Sequence, residues 1–312
     1  MNTPKALAIL GPTASGKTGL ALELARALPV EIISLDSALV YREMNIGTAK
    51  PTAAELSSAP HHLIDIISPL ESYSAAEFTT DCIRLTQEIQ NRGRLPLIVG
   101  GTMMYYHALT EGLNQLPTAD ASVRAELQTE KAQHGLAHLY GRLKNIDPET
   151  AKRLEPQDSQ RIERALEVFI LTGKPLSAHF AEQSAYTPPI NLKAVGLIPQ
   201  ERAKLHSQIA KRFHQMLDQG FIDEVQNLQT AYPELTAHST SMRCVGYRQA
   251  WDYLNGQLDY AEFTEKGIAA TRQLAKRQLT WLRKITHVLP LDPYQNDIFQ
   301  PVLSMAKQHF AL

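Results

Sequence analysis

Short, largely apolar runs punctuate the first third of the chain at Leu7–Leu10, Glu31–Leu35, Leu63–Ile67 and Leu95–Val99. Each has the length of a strand buried on both faces. Between them the apolar positions recur at helical spacing: Gly16–Leu28 repeats Leu20, Leu24 and Leu28, and Ser74–Asn91 opens on a capping box from Ser74 to Glu77 and stops at Gly93. This alternation predicts a parallel, doubly wound α/β sheet. A further helix is predicted from Thr102 to Gly112. Strand-like runs then vanish over 116–190, where helical, arginine-containing segments replace them. They return at Ala194–Ile198 and Val288–Leu291, among helices predicted at Glu201–Gln219, Phe221–Ala231, Gly246–Leu254 and Ala261–Ile285. The expected organisation is a core of residues 1–115 and 191–312, C-terminal helices included, with 116–190 as a helical insert domain.

With 312 residues, 44% hydrophobic and 20% charged, the chain has the material for one large or two ordinary domains, which excludes disorder and a small disulfide scaffold. Lys+Arg 31 against Asp+Glu 32 gives a net charge of −1, so a nucleic acid would have to be held by a local basic patch. Cys82 and Cys244 lack CxxC spacing, which points away from zinc and disulfides and toward a reducing compartment. No apolar run approaches the ~20 residues that span a bilayer. Ala6–Leu10 leads straight into a glycine-rich loop and leaves no room for a signal peptide, so a cytoplasmic protein is expected.

That loop, Gly11, Pro12, Thr13, Ala14, Ser15, Gly16, Lys17 and Thr18, fits G-x-x-x-x-G-K-[ST] and stands after a predicted strand, opening a predicted helix. Backbone N–H groups can converge there on phosphate oxygens, Lys17 adds a point charge, and the Thr18 hydroxyl can ligate Mg²⁺. A P-loop reads a diphosphate without saying what carries it, so ATP or another nucleotide is only its default ligand. A phosphoryl-transfer enzyme usually adds an acid at the end of a second buried strand. Here Leu95–Val99 ends in Gly100, Gly101 and Thr102, and the first acid at a strand end is Asp36, at the carboxyl edge of the sheet.

In order along residues 11–283, GPTASGKT, DSALVYREMNIGTAKP, PHHLID, IVGGTMMY, DPETAKRLEPQDSQRIERALEV, SMRCVGYRQ and KRQLTWLR together resemble the tRNA dimethylallyltransferases, also called tRNA isopentenyltransferases. The resemblance implies a P-loop core and transfer of a dimethylallyl group from dimethylallyl diphosphate to N6 of the adenosine just 3′ of the tRNA anticodon, position 37. It departs from the family pattern at Leu39, Glu43 and Asn45, where many relatives carry Gln, Gly and Asp. Leu39 leaves backbone or shape contact where a side-chain amide would read a base.

An exocyclic adenine amine is a poor nucleophile, so a base on its N–H helps the new bond form. Asp36 is the candidate, with a turn cap shared with Ser37 as the alternative. The departing diphosphate builds negative charge that Mg²⁺, Lys17 and backbone N–H groups can stabilise, with hydroxyl contacts from Thr13 and Ser15. The resemblance also places Arg124 and Arg212 near the diphosphate or the adenosine. Thr102 can hold the amine beside Asp36 or cap a helix. His61 and His62 precede a predicted strand and read as packing histidines, since neighbours on an extended segment point to opposite faces.

From Gly267 to Val288 there are five basic residues, Arg272, Lys276, Arg277, Arg283 and Lys284, and no acid. A basic face backed by an apolar stripe of Leu274, Trp281 and Ile285 suits a phosphate backbone. The resemblance implies tRNA contact by four segments: Asp36, Ser37, Ala38 and Leu39; Gln160, Arg161, Ile162, Glu163 and Arg164; Arg243, Cys244, Val245, Gly246, Tyr247 and Arg248; and Lys276, Arg277, Gln278, Leu279, Thr280, Trp281, Leu282 and Arg283. It adds Thr102 and Arg124. Tyr247 and Trp281 are the aromatics available to stack on an extruded anticodon-loop base. The expected partners are thus the tRNA anticodon stem-loop and dimethylallyl diphosphate, with Mg²⁺, for a monomer that meets no membrane. A small-molecule kinase would use the same loop for ATP, and a nucleotide-gated RNA-binding protein would need no base. The kinase leaves the basic clusters unexplained.

Overall fold

In the computed structural model, which describes residues 3–113, 116–182 and 186–312, strands β1 (Lys5–Leu10), β2 (Val30–Leu35), β3 (His61–His62), β4 (Leu95–Gly100), β5 (Asn191–Leu197) and β6 (Val288–Leu291) form one sheet. Its order is β3-β2-β4-β1-β5-β6, and every pair is parallel. β1 shows why both faces are covered. Ala6, Ala8 and Leu10 join one hydrophobic cluster, and Leu7 and Ile9 join another, so successive side chains feed opposite layers.

The helices before the insert are α1 (Lys17–Ala27), α2 (Ala53–Ser58), α3 (Ala75–Asn91) and α4 (Met103–Glu111). α3 begins on the predicted box: Ser74 Oγ accepts from the Glu77 N–H, and the Glu77 carboxylate accepts from the Ser74 N–H. Residues Glu111–Thr187 form a compact unit of their own, with α5 (Ala121–His134), α6 (Leu136–Ile146), α7 (Pro148–Arg153), α8 (Ser159–Thr172) and α9 (Leu176–Ala181). Its core gathers Val123, Leu127, Leu139, Leu143, Ile162 and Leu166. The first unit, Met1–Thr110 with Pro188–Leu312, resumes with α10 (Arg202–Asp218), α11 (Phe221–Ala231), α12 (Tyr247–Leu254), α13 (Tyr260–Leu282) and α14 (Phe299–Phe310). α14 has no counterpart in the sequence reading, and it packs Val302 and Ala306 against the α1 face of the sheet.

Two expectations are corrected. The strand at Leu63–Ile67 does not form, because Leu63 and Asp65 adopt left-handed backbone at φ 62° and 57°, and the sheet pairs instead through His61 and His62. The stripe buried under α13 is Ala275, Leu279 and Leu282; of the predicted Leu274, Trp281 and Ile285, Leu274 is only half-buried and Trp281 is 38% exposed, while Ile285 packs against the core. His62 Nε2 lies 2.7 Å from Glu31 and His61 Nδ1 lies 2.8 Å from the Ala59 carbonyl, so both act in packing as expected.

Candidate active site

β1 delivers the chain into the phosphate loop, where the Gly11 N–H donates to the Gly100 carbonyl at 3.2 Å. Gly16, at φ 82°, makes the left-handed turn that opens α1 and aims its first N–H groups into the loop. Ser15 is 3% exposed, and its hydroxyl has no hydrogen-bond partner among the described residues. A buried, unmet hydroxyl beside a helix N-terminus fits a phosphate oxygen. The loop walls a cavity of about 720 Å³, also lined by Asn45, Ala49, Lys50 and Arg212.

Two desolvated cations stand in this cavity. Burial pushes the Lys17 ammonium down to about 8; the Asp36 carboxylate opposes this and the Arg212 guanidinium adds to it. Burial likewise lowers Arg212, against Asp36 and Glu55. Lys17 Nζ donates to the Pro12 carbonyl at 3.2 Å, and Arg212 reaches the Ala49 carbonyl at 3.5 Å. Among the described residues neither forms an ion pair with a carboxylate. A bound anion would supply the missing charge. No group of three or more His, Cys, Asp or Glu capable of holding a metal occurs among the described residues, so Mg²⁺ would rest on Thr18 and on oxygens of the ligand.

The acceptor side is built by neighbouring strand ends. Leu35 of β2 stands opposite Gly100 of β4, which brings Asp36 and Thr102 to one edge of the sheet. A Cβ on Gly100 would lie 2.0 Å from the Leu35 carbonyl oxygen, so only glycine allows this approach. The Ser37 N–H donates to Thr102 Oγ1 at 3.0 Å, which ties the two ends together and uses the Thr102 hydroxyl across the turn. Asp36 Oδ1 accepts from the Ala38 N–H at 2.9 Å, as a turn cap would, while Oδ2 has no hydrogen-bond partner among the described residues. The turn-cap reading is met by Oδ1, and the turn leaves Oδ2 unused.

Gln278 has a role that its place in a basic helix did not reveal. Its Oε1 accepts from the Thr13 N–H at 2.9 Å and its Nε2 donates to the Gly101 carbonyl at 3.0 Å, pinning α13 to the phosphate loop and to the end of β4. Around it Lys276, Arg277, Thr280, Trp281 and Arg283 are exposed, whereas Leu279 and Leu282 are buried. Trp281 makes a T-shaped contact with His107, at 5.7 Å between ring centres, and stands exposed at the surface. Tyr247 does not. It is fully buried and donates its hydroxyl to Glu224 at 2.5 Å, which corrects its expected role as a stacking partner. Ser37 is exposed, and Ala38 and Leu39 are half-buried. Gly246 is buried at φ 94° and Val245 is half-buried, while Arg243 is exposed and Arg248 reaches Asp252 at 3.4 Å. Burial pushes the thiols of Cys82 and Cys244 up to about 12, so neither is poised as a nucleophile.

In the helical unit, Gln160 and Arg161 are exposed, Ile162 is buried, and Glu163 pairs with Lys131 at 2.7 Å. Arg124 and Arg164 converge on Glu167, at 2.9 and 2.6 Å. At Glu43 the backbone stands at φ 65°, a conformation costing roughly 1–2 kcal/mol for a side chain. The Glu43 carboxylate accepts from the Tyr232 hydroxyl at 2.7 Å, which offsets part of that strain.

The model of the IPP transferase family matches residues 39–285. A tRNA dimethylallyltransferase of Neisseria meningitidis serogroup B is 64% identical over 296 residues, covering 95% of this chain and 95% of its own length. Among solved structures, the full-length tRNA isopentenylpyrophosphate transferase of Bacillus halodurans superposes with a TM-score of 0.70 at 38% identity, covering 99% of this chain and 96% of that one. A eukaryotic dimethylallyltransferase acting on tRNA gives 0.82 at 25% identity, over 98% of this chain and 79% of that one. With the family model matched over residues 39–285 and a 64% identical relative matched over 95% of its length, the chain belongs to the IPP transferase family.

Proposed function

We propose that the protein transfers a dimethylallyl group from dimethylallyl diphosphate to N6 of adenosine 37 in tRNA, releasing diphosphate. The observation that carries this reading is the pairing of two unlike sites: a cavity whose Lys17 and Arg212 have no carboxylate ion pair among the described residues, and near them Asp36, whose Oδ2 has no hydrogen-bond partner among those residues and whose turn Ser37 ties to Thr102. Family membership supports the same chemistry. The allylic C–O bond breaks and its electrons leave with the diphosphate, the N6–C bond forms, and the N6 proton passes to Asp36 Oδ2. Lys17, Arg212 and the loop N–H groups hold the diphosphate and take up the charge that grows as it departs. Thr102 orients the amine. Mg²⁺, held by Thr18 and the donor's oxygens, would supply further charge neutralisation to the leaving group.

The basic outer face of α13 and the arginines of 160–164 and 243–248 would hold the tRNA backbone, with Trp281 stacking on a loop base. Arg124 would join the tRNA-holding set from the helical insert. No described helix is long and apolar enough to cross a membrane. In this reading the enzyme acts as a cytoplasmic monomer. Incubation with Mg²⁺, dimethylallyl diphosphate and unmodified tRNA, followed by nucleoside mass spectrometry, tests it. Prenylated adenosine at position 37 is the expected product, and ATP consumption without prenylation would overturn the assignment.

A further inference from the structure

A single carboxylate organises the wall of the cavity that faces the phosphate loop. Glu224, in the first turn of α11, accepts four hydrogen bonds: from the Asn45 N–H at 2.8 Å and the Ile46 N–H at 2.7 Å on Oε2, and from the Gly47 N–H at 3.1 Å and the Tyr247 hydroxyl at 2.5 Å on Oε1. Three successive backbone N–H groups converging on one anion form a nest, here filled by the protein's own side chain. The segment is also pressed flat: a Cβ on Gly47 would stand 2.1 Å from the Phe221 ring and 2.6 Å from the Tyr247 ring. Beyond Gly47 the chain turns back, with the Ala49 and Lys50 N–H groups donating to the Ile46 and Asn45 carbonyls at 2.9 Å each. This turn presents Ala49, at φ 52°, with its carbonyl toward Arg212, while Lys50 Nζ donates to the Tyr41 carbonyl at 2.8 Å. Asn45, Ile46, Ala49 and Lys50 all line the cavity.

We infer that Glu224 and Tyr247 are positioning residues that fix the 45–50 wall, and through it Arg212, so that the cavity is shaped for the diphosphate donor before the donor arrives. The inference rests on the reading of this cavity as the donor site. It also explains why one segment, 243–248, holds both exposed Arg243 and fully buried Tyr247: the arginine serves the surface and the tyrosine serves the cavity. Burial, reinforced by Glu224, holds the Tyr247 hydroxyl well above its ordinary pKa, so it stays a donor across the working pH range.

The test compares wild type, Lys17→Ala, Glu224→Gln and Tyr247→Phe, measuring dimethylallyl diphosphate binding without tRNA, KM for donor and tRNA separately, kcat, and melting temperature. Glu224→Gln keeps the side chain's shape but turns an NH₂ toward backbone donors, so the wall must shift. The expected result is a donor KM and Kd raised about tenfold, with tRNA KM and kcat within about twofold. Tyr247→Phe removes one of the four bonds without repulsion, and about a threefold rise in the same two quantities is expected. It also supplies the answer if Glu224→Gln does not fold. A lowered melting temperature with unchanged donor KM in both variants would overturn the inference, leaving a purely structural pair. Donor binding that survives Lys17→Ala unchanged would instead overturn the reading of the cavity itself.

Discussion

In the helical unit, Arg124 and Arg164 close on the two oxygens of Glu167, which is 1% exposed and also accepts the Asp120 N–H at 3.0 Å. Around the phosphate loop, Lys17 and Arg212 are buried enough to lower the pKa of each, yet among the described residues both donate only to backbone carbonyls. The first arrangement is complete as it stands. The second leaves two desolvated cations without an ion-pair partner among the described residues, a condition that costs stability unless an anion comes to meet it. As residues in a sequence the four cations look alike. What separates them is the carboxylate partner, and its absence beside Lys17 and Arg212 among the described residues marks a site for a small anion.

The largest departure should come from the one carboxylate that lies near both site cations and pairs with neither. Asp36→Asn keeps an oxygen for the Ala38 N–H and removes only the basic one. The single-turnover rate is expected to fall by roughly 10²–10⁴-fold with tRNA affinity retained. An equal loss of tRNA binding would reduce Asp36 to its turn. Lys17→Ala should follow, lowering kcat/KM for the donor by roughly 10²–10³-fold. A measurable loss that stays below about tenfold would mean that Arg212 and the loop N–H groups carry most of the diphosphate, and the contrast with the helical unit would narrow to a single residue.

The phosphate loop was legible because its chemistry demands particular residues within one short stretch, and the capping box at Ser74 and Glu77 for the same reason. The parallel sheet followed from alternation alone. What escaped depends on partners far along the chain. His61 and His62 form a strand only because Ile32 and Ile33 lie beside them, and nothing local in Leu63 or Asp65 announces left-handed backbone. Tyr247 reads as an aromatic among arginines until Glu224 and the 45–47 amides are placed around it. Trp281 carries far more apolar surface than Ala275, although the small residue carries the buried stripe and the large one faces out.

The helical unit offers the reverse experiment. Glu167→Gln removes the charge that Arg124 and Arg164 share and leaves the side chain's volume. The two arginines are 57% and 30% exposed and can turn to water, so the expected loss is moderate, about 1–3 kcal/mol of local stability. Burial works to raise the Glu167 pKa, but the bonds from Arg164 and Arg124 outweigh it and hold the carboxyl below its ordinary value. This contribution is therefore present above the ordinary carboxylate range and is lost as pH falls through the lowered value. Hydrogen exchange in α5 and α8 reads it, and faster exchange at α5 and α8 with undiminished donor affinity is the expected pattern. Donor affinity falling as far as the exchange protection would erase the distinction between the two cation sets.

The smallest effect concerns Lys17 alone and tests the electrostatic basis of the contrast. The empty site holds its ammonium proton with a pKa of about 8, below the ordinary 10.5, because burial disfavours the charge. A bound diphosphate favours the same charge, so the occupied site keeps the proton to higher pH. Below about 8 both states are protonated and donor affinity is flat with respect to Lys17; above it binding must take up a proton. Apparent donor Kd should then rise by up to about tenfold per pH unit, until the occupied site also deprotonates. Calorimetry in buffers of different ionisation enthalpy counts the proton directly, and Lys17→Ala should abolish the uptake. A flat profile from about pH 7 to 9 in wild type would show that the ammonium keeps its charge with no anion present, and Lys17 would then be as well satisfied in the empty protein as Arg124 and Arg164 are on Glu167.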